Sequence, residues 1–256
     1  MTTDHMIQSE NSLGYVRVKH AESPKYLIEE FSVTEADSFY FNQRCQAQNL
    51  SAQCIRPGIY VHLLDKQKDE VVMSNIPAEI YDHTEICQKS YGWVLICGLG
   101  LGMILHQLCR NDHISEIVVV EKEPEIINMI APAFPEGKVT ILQGDAFLPE
   151  ECGITGQFDT IFFDIWNNIT SQTYSEMQTL SALWKNWQSP RIQILHRREK
   201  SAQEAKRQQK FNCTEKEMRK SNNSSFPVFL NCSRESREVP EFIVPTLIEK
   251  NTNFFG

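Results

Sequence analysis

Three glycines at alternate positions, Gly98, Gly100 and Gly102, and three carboxylates, Glu121, Asp145 and Asp164, are spaced in a way that suggests chemistry. The glycines follow a short apolar run, residues 93–97 (WVLIC). Glycine lets the chain turn sharply and lets a ligand approach bare backbone. A helical pattern comes next, with Ile104, Leu105 and Leu108 apolar. The start of such a helix leaves N–H groups unpaired and carries a partial positive charge. A second apolar run, 117–120, ends in Glu121. This acid lies about 20 residues beyond the loop, the spacing of one helix between two strands. An acid at that strand tip can accept hydrogen bonds from two ribose hydroxyls. A nucleoside-shaped cofactor therefore fits across these strand ends.

Two more apolar runs repeat the arrangement. Residues 139–142 lead into Gln143-Gly144-Asp145-Ala146, and 158–163 lead into Asp164-Ile165-Trp166-Asn167. In an open α/β sheet the ligand lies outside the carboxyl ends of the strands. Asp164 is therefore the candidate catalytic residue, placed to orient a nucleophilic amine, accept its proton or balance a positive charge. Trp166 is a candidate substrate contact that stacks on an acceptor; the plainer reading is a packing lid. Asp145 reads equally as the N-cap of a following helix.

The dinucleotide fingerprint needs a third small residue where this chain has Met103. The pattern present, Gly-x-Gly-x-Gly, resembles motif I of the class I S-adenosylmethionine-dependent methyltransferases. That resemblance implies S-adenosyl-L-methionine as cofactor, with Gly98, Gly100 and Gly102 in its loop and Glu121 on its ribose. It further implies Asp145 at the adenine amino group and the Ala146 backbone beside the ring.

A second resemblance covers about residues 60 to 200. The stretch MSNIPAEIYDH, 73–83, precedes the loop CGLGLGM. Met73, Ser74, Pro77, Ala78, Glu79, Asp82 and His83 match a group of bacterial and phage proteins described as spermidine-synthase-like or class I methyltransferase-like. Glu79 and His83 stand four apart and share one face of the expected helix, 74–89, capped by Ser74 or Asn75. They are candidates to face the cofactor, or else an ordinary solvated pair. The apolar stripe of that helix reads as Ile76, Ile80, Tyr81 and Cys87.

Around this unit, 15–18 reads as a short strand and 34–48 as a helix capped by Thr34, with Phe39 and Phe41 partly buried. Pro57-Gly58 is a turn signal, 59–64 a strand, 66–70 a charged hairpin tip and 71–73 the return strand. Helices are expected at 125–133 and 171–187, and 191–195 reads as a fifth strand or else the start of another helix. Residues 197–220 hold nine Lys/Arg against four Asp/Glu. A solvated helix is the plain reading; an arm touching an acidic substrate or nucleic acid is the sharper one. Beyond it, 226–230 and 242–247 are apolar islands in a polar tail.

The chain has 256 residues and a formal charge of −8, so bulk charge gives no general affinity for nucleic acid. There is no apolar run of membrane-spanning length, and residues 1–10 are polar, so neither a span nor a signal peptide is expected. Eight cysteines without a Cys-x-x-Cys pair read as reduced thiols in a cytoplasmic protein, which makes the Asn-x-Thr triplet at 168–170 a chance match. No metal site is expected.

The expected fold is α/β: a doubly wound, mostly parallel, Rossmann-like sheet of the class I methyltransferase kind. Three regions are expected: an N-terminal extension with a small β layer (1–73), the cofactor-binding unit (74–200) and a polar tail (201–256) that leaves the sheet's C-terminal half truncated. The expected activity is methyl transfer to an unidentified small or macromolecular acceptor, with no membrane partner; homodimerisation is left open. Aminopropyl transfer is the alternative, weakened because Leu101 and Asn167 stand where spermidine synthases carry acids. A non-catalytic cofactor-binding homologue is the third.

Overall fold

The computed structural model describes residues 12–47, 53–134, 137–167 and 169–209. Two sheets form. The first is antiparallel, in the order β1 (Ala21–Glu22), β2 (Tyr26–Val33), β3 (Gly58–Asp65) and β4 (Glu70–Ser74). β2 and β3 pair over eight residues, and β3 turns into β4 through a tip where the Asp65 carboxylate accepts from the N–H groups of Gln67 and Lys68. The helix α1 (Glu35–Ala47) connects β2 to this hairpin.

The second sheet is parallel. Its strands are β5 (Gly92–Cys97), β6 (Ile114–Glu121), β7 (Val139–Gln143), β8 (Phe158–Phe163) and β9 (Gln188–His196), in the spatial order β7-β6-β5-β8-β9. The chain winds outward from β5 to β7, then returns to β8 and winds the other way. That is a doubly wound sheet with its switch point between β5 and β8. Its central strand shows why it sits there. Val94, Leu95, Ile96 and Cys97 are all buried, and alternate residues serve opposite faces. Val94 and Ile96 join a core with α2 (Pro77–Lys89), α3 (Met103–Cys109), α4 (Pro124–Ile130) and the antiparallel sheet. Leu95 and Cys97 join a core with Leu180 of α5 (Ser171–Leu183) and the tryptophans Trp184 and Trp187. Helices therefore cover both faces, as crossovers between parallel strands require.

The antiparallel layer is fastened to the parallel unit by polar contacts as well. Ser23 Oγ and the Lys25 N–H both donate to the Glu125 carboxylate on α4, and Lys25 Nζ lies 3.0 Å from Glu123. Arg17 donates to His106 of α3 and to the Ala133 carbonyl.

Several local expectations change. Residues 15–18 form no strand; Val16 is buried in a bent segment tied down by Arg17. On α1, Thr34 does cap the first turn, but Phe39 is 58% exposed and the buried positions are Ser38 and Cys45. Neither Ser74 nor Asn75 caps α2, whose N-cap is Ile76. Asn75 instead accepts from the Val61 N–H and donates to the Gly14 carbonyl, tying the segment before β1 to β3. The expected stripe on α2 holds in part: Ile76 is buried and Cys87 packs against the core. Tyr81 is 55% exposed, and the buried residues are Glu79, His83 and Ile86. Helix 171–187 divides into α5 and a 3-10 turn, Trp184–Trp187, and helix 125–133 divides likewise after Ile130. β9 supplies the fifth strand, and a helix starts at 199 and continues through 209. The apolar islands at 226–230 and 242–247 lie outside the described residues.

Candidate functional site

Four of the five parallel strands carry their pairing into the first residue beyond them. The Gly98 N–H donates to Val120 O at 2.8 Å, Gly144 to Glu121 O at 2.9 Å, Asp164 to Cys97 O at 2.8 Å and Arg197 to Phe163 O at 3.1 Å. The first residues after β5, β7, β8 and β9 are thus each tied to a neighbouring strand by a backbone hydrogen bond. A cleft of about 290 Å³ opens over these ends, at the switch point. Gly98, Gly100, Glu121, Asp145, Ala146, Asp164 and Trp166 all line it. Tyr26, Asp65 and Lys68 of the antiparallel layer line its flank.

The glycines differ in what they do. A Cβ on Gly98 would stand 2.2 Å from the Asp164 carbonyl oxygen, so β5 and β8 approach too closely there for any side chain. A Cβ on Gly100 would stand 2.5 Å from Met73 Sδ. Met73 sits over the loop, its sulfur accepting the Leu101 N–H at 3.3 Å. Gly102 does not line the cleft. It packs against Phe134 and Ile130, and its role is close contact between the loop and α4.

Glu121 is almost fully buried. Its two oxygens accept from the N–H groups of Leu99 (2.8 Å) and Glu123 (2.9 Å), and the Lys122 N–H also acts on the carboxylate. Burial pushes this carboxyl up from its ordinary value, and the backbone donors oppose it. Asp145 accepts from the Phe147 N–H at 2.9 Å and from Lys122 Nζ at 2.8 Å. Burial works against the charged form, yet Lys122 and the Phe147 N–H outweigh it and hold the carboxyl below its usual range. This is a turn cap rather than the cap of an α-helix. The Ala146 carbonyl is taken by the Trp184 indole N–H at 2.8 Å. Trp166 donates to Glu176 of α5 at 2.8 Å, which fixes its ring at the edge of the cleft.

Asp164 is the most heavily engaged. Arg197 Nη1 donates to Oδ1 at 3.1 Å, and His83 Nε2 donates to Oδ2 at 3.1 Å. Arg197 also donates to Glu79, and Arg198 to Asp82. Burial alone would raise the Asp164 carboxyl; the charge of Arg197 and the bonds from His83 and Arg197 overcome it and hold the group far below its ordinary value. A carboxylate with so little proton affinity is a fixed negative charge and a poor general base. Burial pushes Glu79 up, against Arg197, Arg198 and His83. Glu79 and His83 do not line the large cleft: Glu79 stands behind Arg197, and His83 reaches a small void of about 10 Å³ under the glycine loop. Their contact with the cleft runs through Arg197 and Asp164.

Arg197 is the residue that sequence reasoning missed. In a run with nine basic residues it reads as solvated surface, but its side chain is 4% exposed and the residue lines the cleft. Its position directly after β9 is the one available signal, because every other strand of the switch point ends in a site residue. The flank from Tyr26, Asp65 and Lys68 was likewise unforeseen.

A doubly wound sheet with a cleft at its switch point belongs to the class of α/β folds that bind ligands beyond their strand ends. No protein-family model matches the chain, and no curated protein matches it. Solved structures that it resembles include the S-adenosylhomocysteine-bound methyltransferase PaMTH1 of Podospora anserina, at 16% identity over 65% of this chain and 63% of that one, TM-score 0.38. CalS10, an S-adenosylmethionine-bound amino pentose methyltransferase from Micromonospora echinaspora, matches at 16% identity over 44% and 45%, TM-score 0.32. TrmK of M. capricolum, in complex with S-adenosylhomocysteine, matches at 10% identity over 44% and 50%, TM-score 0.34. The chain spans less than two thirds of each of them. Among the described residues no helix is long and apolar enough to cross a membrane, and no group of three or more His, Cys, Asp or Glu could hold a metal ion.

Proposed function

We propose that the protein binds S-adenosyl-L-methionine in the cleft and transfers its methyl group to an acceptor that enters beside Asp164 and Trp166. One observation carries this reading: the bare backbone of Gly98 and Gly100 and the carboxylates of Glu121, Asp145 and Asp164 share a single cleft of about 290 Å³. That volume sits at the small end of small-molecule sites, about 300 to 1,000 Å³.

The residues fit the cofactor. Glu121, at the tip of β6 and lining the cleft, is placed to accept from the ribose hydroxyls. Asp145, with the Ala146 backbone, marks the adenine end. Gly98 and Gly100 leave backbone bare for the amino-acid portion, and Asp164 places a fixed negative charge at the other end. When bound, the cofactor supplies an electrophilic methyl group on a sulfonium. The chain's own part is then to hold the acceptor in line and keep water out. Trp166, tied to Glu176, and Met73, seated on the glycine loop, form walls suited to that. Glu79 and His83 act as positioning residues for Arg197 and Asp164. The low proton affinity of Asp164 does not oppose methyl transfer, which needs no dedicated base when the acceptor is already nucleophilic.

Calorimetric titration tests the reading. S-adenosylmethionine and S-adenosylhomocysteine are both expected to bind, and Glu121→Ala is expected to weaken S-adenosylhomocysteine at least tenfold, about 1.4 kcal/mol. Preference for the decarboxylated cofactor would turn the assignment to aminopropyl transfer. Absence of binding to all three would remove it. The full engagement of Asp164 favours a second reading, cofactor binding without turnover. Incubation with methyl-labelled cofactor and a cell extract separates the two, since only methyl transfer labels an acceptor.

A further inference from the structure

At the Asp164 end of the cleft, three carboxylates converge on one cation. Arg197 Nη1 lies 3.1 Å from Asp164, Nη2 is in contact with Glu79, and Nε stands 3.8 Å from Asp82. Nε has no hydrogen-bond partner among the described residues, although it is buried. Arg198 secures Asp82 from the other side, and His83 secures Asp164. Glu79, Asp82 and His83 share α2, whereas Asp164 follows β8 and Arg197 follows β9. Two separate segments thus supply the carboxylates of one seat, and Arg197, from a third, occupies it and lines the cleft.

Converging carboxylates are the chemistry that recognises a guanidinium or an ammonium group. Here the chain supplies the cation itself. We propose that Arg197 is a specificity-determining residue. It fills from within a carboxylate seat at the reacting end of the cleft, and so denies that seat to a cationic acceptor. The proposal deepens the methyltransferase reading, and rests on it for the identity of the excluded molecule as acceptor. An incoming amine or guanidine would have to displace an arginine tethered in place, whose effective concentration no free ligand matches. The acceptor group that comes to Asp164 is therefore uncharged.

The test empties the seat. Arg197→Ala removes the guanidinium and leaves three carboxylates facing a void. Its melting temperature is expected to fall well below that of the full wild-type chain. Millimolar methylguanidinium is expected to raise it by several degrees, tetramethylammonium at equal ionic strength is not, and the wild type is expected to respond to neither. Should Arg197→Ala fail to fold alone, recovery of folded protein on refolding with methylguanidinium becomes the readout. No selective rescue by either measure overturns the proposal. So does saturable binding of methylguanidinium or putrescine to the wild-type chain in calorimetry. Neither arm involves the cofactor. A wild-type chain that binds S-adenosylhomocysteine and also methylguanidinium would overturn the seat alone. Rescue of the variant with no binding of S-adenosylhomocysteine would remove the cofactor reading alone.

Discussion

Burial turns ordinary side chains into fixed electrostatic parts. His196 closes β9, stacks on Phe163 and shares a hydrogen bond of 2.9 Å with Ser181. Burial pushes it down to about 4, so the neutral ring is the folded form. The unfolded chain takes up a proton near pH 6.5 and the folded chain only near 4, so stability falls as pH drops through that window. The loss amounts to about 3 kcal/mol at the low end. Chemical denaturation between pH 7 and 4 is expected to show a shallower decline for His196→Gln than for the wild type; parallel curves would contradict the assignment. Asp164 works in the opposite chemical sense, its negative charge held by Arg197 and His83. Glu121, Asp145 and Asp164 could be found in the sequence because each follows an apolar run. Arg197 could not, because a basic residue at the head of a basic segment carries no mark of the carboxylates that bury it.

At the scale of elements, the loop after β5 separates two kinds of glycine. Gly98 has φ 101° and meets the Asp164 backbone; Gly100 has φ 49° and meets the movable end of Met73. Backbone cannot retreat as a thioether can, so Gly98→Ala is expected to cost about 3 kcal/mol or more, and Gly100→Ala about 1 kcal/mol. Equal losses in urea denaturation would contradict this picture of the loop. The helix α2 shows the limit of periodicity. Its apolar residues point to a stripe through Tyr81, yet the buried face carries Glu79 and His83. Ion pairing with residues more than a hundred positions away decides which face turns inward, and no local pattern contains that information. The strands were easier: β8 spans the expected residues because an apolar run flanked by polar turns has few alternatives.

Across the whole molecule, the antiparallel layer and one face of the parallel sheet share a single core, in which Ile28 and Leu63 lie with Val94, Ile96 and Val119. That common core brings Tyr26, Asp65 and Lys68 to the flank of a cleft built by the other sheet. Docking between layers distant in sequence leaves little trace in either one, so the flank could not be foreseen. The doubly wound parallel sheet could be, because strands alternate with helices and successive strands end in an acid. The account stands on the cleft at the switch point being an adenosyl site. A crystal structure of the protein grown with S-adenosylhomocysteine tests this most directly. Ligand density is expected in the cleft, with the ribose on Glu121, the adenine by Asp145 and Ala146, and the sulfur toward Asp164. An empty cleft at saturating ligand, or a ligand bound elsewhere on the chain, would contradict it.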